Sequence, residues 1–272
     1  MDATYLRAPE PWHFRNPALV VGHPGHELKV FGWASKHQPR VYVLTDGSVR
    51  GSMPRIHATA SLLAQCGASK DEDKLFGAFT DEAFYHALLE KHTAIFLDIA
   101  ERLAQSFVQN AIDVVAADAI EGYSPTHDLC RILVEAAAHM ASRQTGCAIA
   151  NYDFLLTEGQ SQAQHDDRCF HLQLDEDLLK HKLDAAMNYT EMREEVELAI
   201  NHHGAEYFRT ECLRKVTAPF SGWPDSYKPE YEIRGEQQVA RGIYRAPIRY
   251  HEHVQPLINV IRKYAMAEYA IR

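Results

Sequence analysis

The chain has 272 residues, 46% hydrophobic and 24% charged, with 14 glycines and 12 prolines. That composition excludes a disordered, collagen-like or disulfide-scaffold chain and allows a sizeable buried core. Lys and Arg number 28 against 37 Asp and Glu, a formal net charge of −9. A phosphate-backbone binder carries the opposite sign, and the densest basic stretch, Arg241 to Arg249, is diluted by apolar residues, so no nucleic-acid partner is expected.

No run approaches the roughly 20 apolar residues that span a bilayer. The opening MDATYLRAPEPWHF lacks an apolar signal core, which makes the cytoplasm the expected compartment. Cys66, Cys130, Cys147, Cys169 and Cys212 are odd in number, widely spaced and without a C-x-x-C pair, so they read as reduced packing residues.

In chain order, Ala18-Leu-Val-Val-Gly22 is an apolar run ending in glycine, as a buried parallel strand would be. A helix is expected from His26 to about Lys36, with Leu28, Phe31 and Trp33 inward. Arg40 to Leu44 reads as the second strand, closed by Thr45-Asp46-Gly47-Ser48. Pro54 then opens a helix that runs to Gln65 and stops near Gly67. A charged loop, Ser69 to Lys74, leads to a short strand candidate at Leu75–Ala78. Ile95, Ile99, Leu103 and Phe107 recur every fourth residue, which predicts an amphipathic helix. Ile112 to Ala116 is the next strand; Leu129, Ile132, Leu133, Ala136, Ala137 and Met140 mark a helix; Cys147 to Leu156 is a further strand.

Strands alternating with helices predict an α/β fold, Rossmann-like, with a mostly parallel sheet and helices on both faces. Beyond about residue 175 the texture changes. Residues 175–216 read as two or three helices, Pro219 to Pro247 as an irregular segment, and residues 250–270 as a last helix. The expected organisation is therefore a core at 1–175 and a helical or irregular C-terminal extension at 176–272, packed on the core and not independent.

In an open parallel sheet, ligands bind at the carboxyl ends of the strands. Three such ends carry reactive side chains: Gly22-His23-Pro24-Gly25-His26-Glu27, Thr45-Asp46-Gly47-Ser48, and Asp118 followed by Glu121-Gly122-Tyr123-Ser124-Pro125-Thr126-His127-Asp128. Histidines placed directly after two different strands can meet at one point, and imidazole is a common metal ligand.

The order VVGHPGHE, VYVLTDGS, an Arg55-led helix ending in Cys66-Gly67-Ala68, and IDVVAADAIEGYSPTHD resembles the PIG-L-type zinc-dependent N-deacetylases over roughly residues 17–156. The family's motifs usually read His-Pro-Asp-Asp-Glu and His-Pro-Asp-His. The resemblance implies Zn2+ or another divalent metal on His23, His26 and His127, with His26 standing where the family has a ligating aspartate. It places Gly25 at the family's general-base position and Ser124 where a histidine steadies the oxyanion. Exchanging a carboxylate ligand for imidazole raises the site's charge by one unit, and three neutral imidazoles on zinc can bring bound water to a pKa of about 7. An absent general base costs about 10²- to 10⁴-fold. Glu27, Asp46 and Asp128 are the expected substitutes, with Ser124 or a backbone N–H helping the oxyanion.

Plainer roles stand beside these. Gly25 also suits a sharp turn with positive φ, His26 and His127 suit helix starts, and Asp46 suits a turn. Arg55, Asp81, Glu121, Tyr123 and Arg249 are the expected substrate-binding residues, though Arg55 also suits a solvated helix face and Asp81 a helix N-cap. Tyr231, Arg234, Tyr244, Arg249, His251 and His253 form a second cluster suited either to sugar or anion recognition or to an arm packing on the sheet edge. His202-His203 beside Gly204 suits a helix end. The expected function is removal of an acetyl or acyl group from an N-acetylated amino sugar or glycoconjugate. A non-catalytic metal- or glycan-binding descendant and an esterase on the same scaffold are the alternatives, and a homo-oligomer stays open.

Overall fold

The computed structural model describes residues 15–48, 53–71, 75–157, 169–224 and 226–267. The expectations for residues 1–14, 72–74 and 268–270 lie outside them. The fold is α/β, built on one mostly parallel sheet. Strand β1 (Pro17–Val21) is central and pairs in parallel with β2 (Arg40–Thr45) on one side and β5 (Val114–Asp118) on the other. The short strands β3 (Ser69–Lys70) and β4 (Phe76–Phe79) both pair with β2, and β6 (Ala150–Phe154) continues in parallel from β5. Strand β8 (Thr210–Lys215) then runs antiparallel to β6, and β7 (Cys169–Gln173) closes the edge antiparallel to β8.

Side chains alternate across a strand, so each central strand feeds two cores. Ala18 and Val20 of β1 join Tyr42, Leu44, Val115 and Ala117 on one face; Leu19 and Val21 join Val41, Val43, Val114 and Ala116 on the other. All are buried, which is why these strands read as unbroken apolar runs. Helices α3 (Asp81–Leu89), α4 (Thr93–Gln109), α5 (Pro125–Thr145) and α9 (Gln255–Met266) cover the first face. Helices α1 (Phe31–His37), α2 (Ile56–Cys66) and α6 (Glu176–Asn188) cover the second. The four-residue apolar period expected between Ile95 and Phe107 is realised in α4, where Phe96, Ile99, Leu103 and Phe107 are buried. Each buried Leu, Ile or Phe contributes about 1.5–3 kcal/mol by leaving water.

Several expectations are corrected. The stretch from His26 begins as a 3-10 turn, His26–Val30, and becomes α-helical only at Phe31. Helix α2 starts at Ile56 rather than at Pro54. The helices expected across 175–216 are α6 and α7 (Arg193–His203), but the stretch ends in strand β8. The segment read as irregular contains α8 (Glu230–Ala240), and the last helix opens with a π-type turn, Tyr250–Val254. Strand β7 was not anticipated.

The connection out of β1 leads to β2 on one side, while β5 lies on the other and leads onward to β6. Between the ends of β1 and β5 the strand order reverses, which opens a crevice at their carboxyl tips. No helix among the described residues is long and apolar enough to cross a membrane.

Candidate active site

The crevice gathers three histidines. His23 and His26 follow β1, and His127 lies in the first turn of α5, directly after the β5 loop. Their ring centroids are 5.4 Å (His23–His26), 5.2 Å (His23–His127) and 4.5 Å (His26–His127) apart, with the planes nearly perpendicular. Glycine at position 25 makes the turn: its φ is 103°, in the left-handed region, and a Cβ built there would lie 2.1 Å from Met192 Sδ.

Each β1 histidine is fixed by a carboxylate from another element. His23 Nδ1 lies 2.9 Å from Asp81 Oδ1 and 2.7 Å from Thr45 Oγ1, at the end of β2. The Thr45 hydroxyl donates to Gly22 O at 3.0 Å, so both neighbours accept and Nδ1 carries the proton, which turns Nε2 toward the pocket's other histidines. His26 Nδ1 lies 2.9 Å from Asp118 Oδ2, which also accepts Gly22 N–H at 2.8 Å. A carboxylate behind a histidine fixes its tautomer and raises its basicity, as in histidines that bind metals. Burial, reinforced by mutual repulsion with His23, holds His26 well below the usual imidazole range. Burial, reinforced by the neighbouring histidines, does the same to His127. Both rings are therefore neutral at neutral pH and keep a lone pair.

Burial lifts the Asp118 carboxyl to about 7, against the Gly22 hydrogen bond. Burial also acts to raise Asp81, but the hydrogen bond and charge of His23 outweigh it and leave the carboxyl below its ordinary value. Four buried polar atoms of this neighbourhood have no hydrogen-bond partner: His127 Nδ1, Asp81 Oδ2, Asp118 Oδ1 and Arg55 Nε. Each such atom costs about 1–3 kcal/mol unless something completes it. Three imidazoles, two of them hydrogen-bonded to carboxyl groups, are a donor set of the kind that takes a divalent ion, although one ring nitrogen from each does not come within 4.8 Å of the other two.

The remaining sequence-predicted residues take the following places. Glu27 is fully buried, accepts Gly25 N–H (2.8 Å) and the Thr59 hydroxyl (2.7 Å), and has its carboxyl raised by burial. Asp46 Oδ1 accepts both N–H and hydroxyl of Ser48, as a turn aspartate does. Asp128 Oδ1 accepts the N–H groups of Glu121 and Gly122, and its Oδ2 accepts Trp223 Nε1–H at 3.1 Å. Burial lifts this carboxyl to about 6. Ser124 is the N-cap of α5, its hydroxyl accepting Thr126 N–H. Glu121 accepts from Leu156 N–H, Thr157 N–H and the Thr157 hydroxyl, which ties the β5 loop to the β6 loop. Asp81 is not the helix cap; Thr80 caps α3, which leaves the Asp81 carboxylate to His23.

Arg55 stands at the start of α2, and its charge depresses both His26 and Asp81. Tyr123 stacks on His127, with centroids 6.1 Å apart and planes 26° from parallel. The Arg234 guanidinium lies over the Tyr123 ring, 3.9 Å from its centroid, and donates to the Tyr123 carbonyl. Arg249 instead pairs with Glu232 and Glu236. Of the second cluster, then, Arg234 reaches the histidine pocket. Thr45 and Asp118 stand among the reactive residues expected at the strand ends and Arg234 in the second cluster, none of them with these contacts assigned; Trp223, far downstream of Asp128, had no signal in the sequence.

Fold and site together define an open parallel α/β protein with a histidine and carboxylate pocket at its topological switch point. No family model and no curated protein matches the chain. Among solved structures it is similar to a deacetylase triple mutant involved in the teicoplanin biosynthetic pathway, with a TM-score of 0.51 and 12% identity over 74% of this chain and 97% of that one. It is also similar to a deacetylase–bog complex from the biosynthesis pathway of teicoplanin, with a TM-score of 0.50 and 10% identity over 74% and 99% of the respective chains. At these identities the likeness is one of fold.

Proposed function

We propose that the chain is a metal-dependent hydrolase that removes an acetyl or related acyl group from an N-acylated amino sugar or glycoconjugate. The observation that carries this reading is the trio His23, His26 and His127 at the strand tips, with ring centroids 4.5–5.4 Å apart and Asp81 and Asp118 behind two of them. The fold shared with deacetylases supports the reaction class. The three histidines would hold a divalent ion, zinc by donor type, which when bound supplies a Lewis acid to an amide carbonyl.

The chain's own groups do the rest. Asp81 holds His23 through Oδ1 and, with its carboxyl below the ordinary value, is ionised at neutral pH, so it positions that ring and offsets charge gathered at the site. Asp118 holds the His26 ring in one tautomer. Glu27, Asp46 and Asp128 have their carboxylate oxygens engaged by Thr59, Ser48, Trp223 and backbone N–H groups, and so hold the surrounding loops in shape. Tyr123, 38% exposed beside His127 and covered by the Arg234 guanidinium, offers its exposed edge and hydroxyl at the rim of the pocket to a sugar.

The test is release of free amine from a panel of N-acyl amino sugars by zinc-loaded protein. Activity should fall at least about 10³-fold in His127→Ala and about 10- to 100-fold in Asp81→Asn. Absence of amine from every substrate overturns the hydrolase. One observation favours the non-catalytic alternative: Met192 fills the space beside Gly25, where the resemblance places a general base. Glycan binding that depends on His127 and releases no amine would establish it.

A further inference from the structure

A second cluster of metal-competent side chains lies at the far edge of the sheet. Strands β7 and β8 pair antiparallel with His171 directly opposite Cys212, and Cys169 opposite Arg214. Cys169 and His171 are two residues apart and so share a face; Cys212, across from His171, points to the same side. The opposite face carries Phe170, Leu172 and Leu213 into the core. One donor atom from each of Cys169, His171 and Cys212 lies within 4.8 Å of the others, and among the described residues this is the group of histidines, cysteines and carboxylates that meets that measure.

The neighbours on the same face are already matched. At one end the Thr210 hydroxyl donates to Gln173 Oε1 at 2.8 Å. At the other, Arg214 makes a two-pronged pair with Asp153, at 2.7 and 3.0 Å. Between these pairs stand Cys169, His171 and Cys212, the two thiols hydrogen-bonded to each other. Zinc bonds of about 2.3 Å to sulfur and 2.1 Å to nitrogen put tetrahedral donors roughly 3.5–3.8 Å apart, so the trio needs at most about 1 Å of contraction. Both cysteines are half-buried and His171 is exposed, which leaves the outward side of the trio open to a fourth, solvent ligand.

We infer that Cys169, His171 and Cys212 form a binding site for a thiophilic divalent cation such as zinc, distinct from the histidine pocket and clamping the edge strand β7 onto β8. Binding releases two thiol protons to solvent and adds a cross-link to strands already paired in a ladder, whose connection along the chain runs through α6 and α7. The site shares no residue with His23, His26 or His127 and stands whether or not the chain is a hydrolase.

Cobalt titration of the fully reduced, full-length protein tests it, because thiolate ligands give Co2+ an intense near-ultraviolet charge-transfer band that imidazole and carboxylate ligands do not. The band should appear in the wild type and in His127→Ala, be displaced by one equivalent of zinc, and vanish in Cys169→Ser and in Cys212→Ser. His171→Gln should weaken cobalt affinity by at least about 10-fold. Zinc should also raise the melting temperature of His127→Ala but not of the double variant His127→Ala/Cys212→Ser. Circular dichroism checks that each serine variant is folded, and a serine at these half-buried positions keeps the side-chain volume. A missing band in the reduced wild type, or one that persists in Cys212→Ser, overturns the site. So does an intact mass lower by two hydrogens after purification without reductant, accompanied by failure of the re-reduced protein to bind cobalt.

Discussion

Two buried polar clusters in this molecule differ in one respect. Around Glu211 the carboxylate is closed: Oε1 accepts Lys182 Nζ and Gly32 N–H, Oε2 accepts Trp33 N–H, all at 2.8 Å, and of this cluster only the Trp33 indole N–H is left without a partner. Around the histidines it does not: His127 Nδ1, Asp81 Oδ2, Asp118 Oδ1 and Arg55 Nε are buried without partners. A closed buried network holds elements together, here the β8 strand to the start of α1. An open one is destabilising by itself and persists where a ligand completes it. The difference separates the structural cluster from the functional one on hydrogen bonding alone.

Breaking the closed cluster should give the largest effect on folding. Glu211→Ala leaves Lys182 buried without its carboxylate and two N–H groups of α1 without their acceptor, and should lower unfolding free energy by about 3–5 kcal/mol in denaturant titration. His127→Ala, which removes one of the unpartnered atoms, should cost less than that while abolishing activity. If the histidine variant were the less stable of the two, the distinction between the clusters would fail.

Asp128 sharpens the comparison because it neighbours His127 yet belongs with the closed kind, its oxygens engaged by two N–H groups and an indole. Burial lifts its carboxyl from 3.8 to about 6, so the folded state favours the protonated form. The sign follows: this contribution to stability is fully present below pH 3.8 and is lost as pH rises through about 6. Its size is at most about 3 kcal/mol. Denaturant midpoints measured across that window should show a shallower decline with rising pH in Asp128→Asn than in the wild type. Identical slopes would place the titration elsewhere.

How much of this was legible in the sequence follows the same physics. Strands β1, β2 and β5 are buried on both faces, and their apolar runs announce them. Strands β7 and β8, Cys-Phe-His-Leu-Gln and Thr-Glu-Cys-Leu-Arg-Lys, keep one face toward solvent, and their mixed composition hid them. Helix α8 was hidden by the prolines and glycines that flank it. The histidines were legible because strand tips are where an open sheet places its ligands. Their partners were less so: Asp81 was visible but suited two other roles, and Arg234 reaches Tyr123 only through tertiary packing. Cys169 and Cys212, read as packing residues, meet only once β7 and β8 are paired.

Position 25 gives the smallest and most discriminating test. The resemblance to zinc-dependent deacetylases puts a carboxylate there, whereas this chain has glycine with φ of 103° and Met192 Sδ 2.1 Å from where a Cβ would stand. Gly25→Asp should therefore lose about 1–3 kcal/mol from overpacking and backbone strain, and activity should fall with it. Met192→Ala in the same chain removes the steric part and leaves the positive-φ part, so the double variant should recover a portion of the stability, a non-additivity that a double-mutant cycle measures directly. The catalytic readout then decides between the two clusters' roles. On the proposed function the site works without a carboxylate at 25, so the aspartate should add nothing to kcat even once Met192 is trimmed. A large gain in kcat would mean that the open cluster lacked a base at that position.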